Sequence, residues 1–264
     1  MAPDSFQEIA KSYEKSAAVA EEAGRRLLER LDGLRFEPKT VIEVGCATGR
    51  QLLALHQRYP KAVLIGIDYS FSMLKQAARR KRWWRPRFRL LQAEASTLPL
   101  PQASADLVFI NLTPSWLNDP ASSLSDLRRV LRPGGLLLIS AFGPDTLRGS
   151  IDHQSLMIQW TTDVQGLGRE LVRAGFSEPV LDTDWLTTTH SSHQALSAEL
   201  CGAGLLPAAP LAERPEKQPS QPVAAQWEIV SASAWAPDAG QPVRGLQGEE
   251  VSIPISQIGR RQRD

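Results

Sequence analysis

The residues that could build a ligand site are Glu43-Val-Gly45-Cys-Ala-Thr-Gly49, with Asp68 further along. Glycines at a turn between strand and helix let the backbone approach a ligand closely, and the helix start beyond offers free N–H groups. An acidic residue closing the next strand, about 20 residues on, suits the hydroxyls of a ribose. Two cofactor chemistries compete for this pattern. A dinucleotide fingerprint asks for glycines at its first, third and sixth places, and this chain has Gly45, Ala47 and Arg50 there. A bulky arginine opposes the approach of a pyrophosphate. Glu43 would repel a diphosphate but suits a cationic ammonium. A positively charged nucleoside ligand therefore fits better than NAD, and a glycine turn with no ligand is the bland alternative.

The remaining chemical candidates read mostly as ordinary surface or core. His190-Ser-Ser-His193 lacks a third metal ligand and reads as a surface loop, so no metal site is expected. Cys46 reads as a small packing residue. Arg79-Arg-Lys-Arg-Trp-Trp-Arg-Pro-Arg87 could meet a nucleic acid or an acidic carrier. As the link from a helix to the third strand, it reads instead as a solvated turn at the sheet edge opposite the cofactor. Arg260-Arg261-Gln-Arg263 reads as tail.

Positioning the glycine turn and Asp68 requires strands alternating with helices. Ser12 to Leu31 has helical spacing, and Val41 to Gly45 reads as a buried strand, followed by a helix through Leu52, Leu53 and Leu55. Ala62–Asp68 is the second strand, ahead of a helix over Met73, Leu74 and Ala77. Arg87–Leu91, Asp106–Asn111 and Leu136–Ser140 are the next three. A helix through Leu124, Leu127 and Val130 closes at Arg132-Pro-Gly-Gly135. This alternation implies right-handed βαβ units and a mostly parallel sheet. Beyond Phe142 the pattern holds a helix at Gly168–Ala174, strand-like material at Pro179–Thr189 and a half-exposed last strand at Gln226–Trp235.

Composition limits the rest. The 264 residues carry 42% hydrophobic and 22% charged residues, a net charge of +1 and two cysteines. Such a charge gives no field that would draw nucleic acid or an anionic membrane, and sparse cysteines suit a reducing compartment. No signal peptide or spanning segment is apparent, so the expectation is a soluble, cytoplasmic protein.

On Glu43 to Gly49, Asp68 and Leu131-Arg-Pro-Gly-Gly135, the chain resembles class I S-adenosylmethionine-dependent methyltransferases. The resemblance implies an α/β, doubly wound, seven-stranded sheet, mostly parallel with an antiparallel last strand. Over roughly residues 5 to 205 it narrows to the malonyl-[acyl-carrier protein] O-methyltransferases of biotin synthesis. The carrying segments are Ser5-Phe with Tyr13, Glu94-Ala-Ser-Thr-Leu-Pro-Leu100, Asp106–Leu112, Trp116, Phe142-Gly-Pro-Asp-Thr-Leu147, Leu171–Phe176 and Ala234-Trp-Ala-Pro237. The chain departs from that pattern at Ala47, at Ser231-Ala-Ser233 and between Leu147 and Gly166, and also in a Pro-rich insertion and a long tail.

By this likeness residues 1–238 form a single domain. Residues 1–38 are a helical lid, 39–150 a cofactor-binding half, and 151–238 a substrate-side half with a Pro-rich loop at 205–222. Residues 239–264 are a frayed tail. S-adenosylmethionine is the implied cofactor, held by Tyr13, Glu43, Gly45, Ala47, Gly49, Asp68, Tyr69, Met73, Glu94, Ala95 and Asn111. Tyr13, Trp116 and Arg148 are candidates for positioning an acceptor, with Arg148 the cation for a free carboxylate. The implied reaction is O-methylation of a malonyl thioester on acyl-carrier protein, which needs no general base because a carboxylate is already ionised. Methylation of another small acid or carrier-bound acyl group, a hydroxylase or assembly factor on the same scaffold, and a non-catalytic binding protein are the alternatives.

Overall fold

The computed structural model describes residues 5–80, 88–113, 118–150, 161–206, 222–238, 243–245 and 248–250. Trp116, residues 81–87 of the basic run, most of the altered stretch after Leu147, most of the Pro-rich loop and the end of the tail lie outside them.

Seven strands form one sheet: β1 (Thr40–Val44), β2 (Val63–Asp68), β3 (Arg89–Gln92), β4 (Ala105–Ile110), β5 (Leu131–Phe142), β6 (Ser177–His190) and β7 (Val223–Trp235), in the order β3-β2-β1-β4-β5-β7-β6. The first five pair in parallel, and β7 runs antiparallel between β5 and β6. The order reverses between β1 and β4, so a crevice opens at their carboxyl ends, where ligands of such sheets bind.

Continuous apolar strands bury both faces. Val41, Leu107 and Phe109 face one core with Leu27, Leu52 and Leu55, and Leu74 from α2 (Ala18–Glu29), α3 (Arg50–Arg58) and α4 (Phe71–Arg79), and with Leu31 just past α2. Their neighbours Ile42, Val108 and Ile110 face the other with Leu124, Leu127 and Leu167 from α5 (Pro120–Val130) and α6 (Val164–Arg173). A third cluster joins Phe142 and Trp227 to Leu196 and Leu200 of α7 (His193–Gly202).

Several expectations are corrected. The helix expected from Ser12 to Leu31 is a 3₁₀ turn (Tyr13–Lys15) followed by α2, and a separate short helix, α1 (Ser5–Ile9), precedes them. Ser12 donates to the Ile9 carbonyl at 3.2 Å, a local bond that competes with helix propagation. α5 ends at Val130, ahead of Arg132-Pro-Gly-Gly135, but that segment is not a separate closing turn. It bulges within β5, where the register against β4 jumps from Leu131 to Leu136. β7 is an inner strand buried throughout Ile229–Ala232, and β6 takes the edge. His190-Ser-Ser-His193 is a surface loop only in part: His190 ends β6, buried, while Ser191 and His193 are exposed and Ser192 caps α7 by accepting the Ala195 N–H. Within the expected tail, Val243–Gly245 and Gly248–Glu250 pair as an antiparallel two-stranded ribbon, β8 and β9.

Candidate cofactor and acceptor site

A cavity of about 310 Å³ opens over the carboxyl ends of β1, β2, β3, β4 and β5. Of the sequence-derived candidates, Tyr13, Gly45, Ala47, Asp68, Tyr69, Met73, Glu94, Ala95 and Asn111 line it together. Glu43 and Gly49 do not form part of the wall. Glu43 lies directly beneath the turn, 3% exposed, and its Oε2 has no hydrogen-bond partner. Burial raises its carboxyl well above the usual range, and the Asp68 charge adds to this, against one backbone hydrogen bond from Leu52.

The glycine turn owes its shape to Asp68. Gly45 has φ +74°, and a side chain there would run into Thr113. Ala47 also adopts a left-handed φ, +44°, which an L side chain resists. Its N–H donates to Asp68 Oδ2 at 2.8 Å, and the Ser70 N–H donates to Oδ1 at 2.8 Å. Each carboxylate oxygen keeps a lone pair for a further donor. Burial pushes the Asp68 carboxyl up to about 6, opposed by those two backbone bonds.

The N-terminal segment roofs the cavity. Phe6 stacks edge-on to Tyr69 with centroids 5.9 Å apart, and also packs on Gly204 beyond α7. Burial pushes the Tyr13 phenol up to about 12, with the charges of Asp68 and Glu43 adding to it. Next to it, Glu14 accepts from Thr48 Oγ1 of the glycine turn at 2.8 Å and pairs with Arg80. Arg80 also donates to the Thr48 carbonyl at 2.7 Å. The basic run therefore begins at the glycine turn and not at the far edge of the sheet.

Asn111 directs its side chain away from a ligand. Its Nδ2 donates to the Ala20 carbonyl at 2.7 Å, and its Oδ1 accepts from Ser140 at 2.9 Å. This ties α2 to β4 and β5. Arg148 is not brought to the site: its side chain is 75% exposed and pairs with Asp145 at 2.7 Å. The far end of the cavity is walled instead by Phe142, Trp227, Glu199, Leu200 and Leu205. None of these five was assigned to the wall from sequence, since α7 has no clear amphipathic period.

The cavity runs from the glycine turn and Asp68 at one end to a mostly apolar far end that also holds Glu199. The lining contains four carboxylates (Asp68, Glu94, Asp119 and Glu199) and, among the described residues, no lysine or arginine, so it favours a cationic ligand. Among the described residues no group of three or more His, Cys, Asp or Glu could hold a metal ion, and no helix is long and apolar enough to cross a membrane.

Comparison with known proteins agrees with this geometry. A family model described as a methyltransferase domain matches residues 42–139. The malonyl-[acyl-carrier protein] O-methyltransferase of Xylella fastidiosa (strain M23) is 35% identical, over 98% of this chain and 95% of its own length. The protein of the same name from Halorhodospira halophila is 33% identical over 98% and 95%. Among solved structures, a SAM-dependent methyltransferase from Thermotoga maritima shares the fold with a TM-score of 0.55 at 19% identity, covering 88% of this chain and 98% of that one. Phosphoethanolamine N-methyltransferase 2 of Haemonchus contortus, solved in complex with S-adenosyl-L-methionine, gives 0.55 at 15% identity, covering 82% and 53%.

Proposed function

The chain belongs to the malonyl-[acyl-carrier protein] O-methyltransferase family and is an S-adenosylmethionine-dependent methyltransferase, and we propose that it methylates the free carboxylate of a malonyl thioester carried on acyl-carrier protein. The observation that carries this reading is the cavity lining, acidic at the donor end, apolar apart from Glu199 at the far end, and free of lysine and arginine among the described residues.

The residues fit the donor. Asp68 offers its spare lone pairs to ribose hydroxyls, and Met73, Glu94 and Ala95 flank the place of the base. Glu43, with its unpartnered oxygen beneath Gly45, can accept from the methionine ammonium, whose positive charge would draw its raised carboxyl back toward the ionised form. When bound, S-adenosylmethionine supplies a methyl group already activated on a sulfonium. What remains for the protein is alignment and exclusion of water. Tyr13 and Phe6 cover the cavity, while Phe142, Trp227 and Leu200 keep its far end dry.

A carboxylate acceptor meets no basic side chain in the described wall, so its charge balances that of the donor. Two opposite charges that cancel on reaction are helped by an apolar enclosure, because little solvation is lost on the way. No residue has to remove a proton. The test is the rate against pH with both substrates saturating. It should stay flat from about pH 7 to 9, whereas an amine or hydroxyl acceptor would show a rising limb and overturn the reading.

A further inference from the structure

The far end of the cavity contains a chain of polar contacts that the donor site does not use. Trp227 and Phe142 form its aromatic wall, with ring centroids 5.7 Å apart. The Trp227 indole N–H donates to Thr188 Oγ1 at 3.0 Å, and Thr188 Oγ1 lies 2.8 Å from His190 Nε2. A hydroxyl oxygen that accepts from the indole has its own proton left to give, and Nε2 of a neutral ring accepts it. The ring proton then sits on Nδ1, which faces Glu199 Oε2 at 3.5 Å; this tautomer is assigned from the network. His190 is 8% exposed, with Thr188 2.8 Å from Nε2 and Glu199 Oε2 within 3.5 Å of Nδ1. β7, β6 and α7 are thereby joined through one chain whose two ends, Trp227 and Glu199, both face the cavity.

We propose that Glu199, held in place by His190, is a specificity residue that admits an acceptor with one free carboxylate and rejects an acceptor with two. The proposal rests on the reading that the acceptor is a carboxylate. Around Glu199 stand Phe142, Trp227, Leu200 and Leu205, which screen a charge poorly. A first carboxylate at the donor end balances the donor's positive charge. A second one at the far end would face Glu199, with no lysine or arginine in the described wall to neutralise it. A half-acid thioester has no second charge, whereas the free diacid presents the same reacting group with one charge too many. His190 is a positioning residue here, since it keeps the carboxylate of Glu199 turned to that end.

The test is a binding ratio. The full chain is loaded with sinefungin, a donor analogue that is cationic but has no transferable methyl group. Monomethyl malonate (one charge) and malonate (two charges at about pH 8) are titrated by calorimetry. The wild type should prefer the half-ester on the order of ten-fold or more, and Glu199→Gln should remove most of that preference. His190→Gln should lower it in part, while sinefungin affinity stays within about two-fold in both variants. A merely structural role would weaken both probes alike and leave their ratio unchanged, and that outcome overturns the proposal. So does a wild type that binds neither probe. If His190→Gln fails to fold, the isosteric Glu199→Gln decides alone. Binding needs no turnover, so an enzyme that methylates no malonyl thioester sinks the proposed function while this ratio still judges Glu199.

Discussion

Asp68→Asn should separate binding from folding. The ionised carboxylate is costly to bury: its rise from 3.8 to about 6 corresponds to about 3 kcal/mol at neutral pH. Asparagine removes that cost and keeps one oxygen, which can accept from either Ala47 or Ser70 but not from both. The N–H left facing an amide costs about 1–3 kcal/mol. The two terms nearly cancel, so stability should change by less than about 2 kcal/mol, or several degrees in Tm. Donor affinity has no such compensation. Losing a charge-assisted bond to a ribose hydroxyl costs about 1.5–3 kcal/mol, a roughly ten-fold to 150-fold rise in Kd. Thermal melts and calorimetry with S-adenosylmethionine check the two halves. An unchanged Kd, or a lost Kd accompanied by a collapsed melt, would refute the reasoning.

Three further outcomes follow from the same geometry. Because the folded-state carboxyl of Asp68 titrates near 6 and the unfolded one near 3.8, its contribution to stability is fully present below the lower value and is lost as pH rises through the upper one. The Tm of Asp68→Asn minus that of the wild type should therefore be larger at about pH 8 than at about pH 4, while wild-type donor affinity falls as pH drops below about 6; a difference in Tm that does not vary with pH would contradict this. Glu14→Ala unhooks the roof from Thr48 and Arg80, at surface positions where such contacts contribute about 1 kcal/mol or less, so Tm should barely move while stopped-flow shows donor dissociation several-fold faster. Gly45→Ala places a side-chain carbon 2.1 Å from Thr113 Oγ1 at φ +74°, and should lower stability by about 2 kcal/mol or more in denaturant melts and weaken the donor as well.

The parts legible in the sequence are those fixed by near neighbours in the chain. The span from Glu43 to Gly49, followed by Asp68, could be read because a turn and a strand end are local. The apolar runs Leu107–Ile110 of β4 and Leu136–Ile139 of β5 could be read because strands buried on both faces leave no alternation to misinterpret. What escaped depends on distant partners. Glu14, Thr48 and Arg80 meet only when the N-terminal segment folds over α3 and α4. His190 and Glu199 join Trp227 only through the long β6–β7 pairing. Arg148 is an exception with a near partner: it follows β5 as expected, yet Asp145, three residues earlier, holds it at the surface. Ala47 stands where a glycine would be easier, and its strain is borne by a hydrogen bond to a residue 21 positions away.

The most direct measurement uses S-adenosylmethionine labelled with deuterium in its methyl group, mixed with the full-length protein and malonyl-acyl-carrier protein, and followed by mass spectrometry of the intact carrier. The account predicts a labelled methyl ester on the malonyl carboxylate, formed with stoichiometric S-adenosylhomocysteine and released by mild alkaline hydrolysis. A carrier that stays unlabelled, from a protein that binds the donor and is folded, would contradict it.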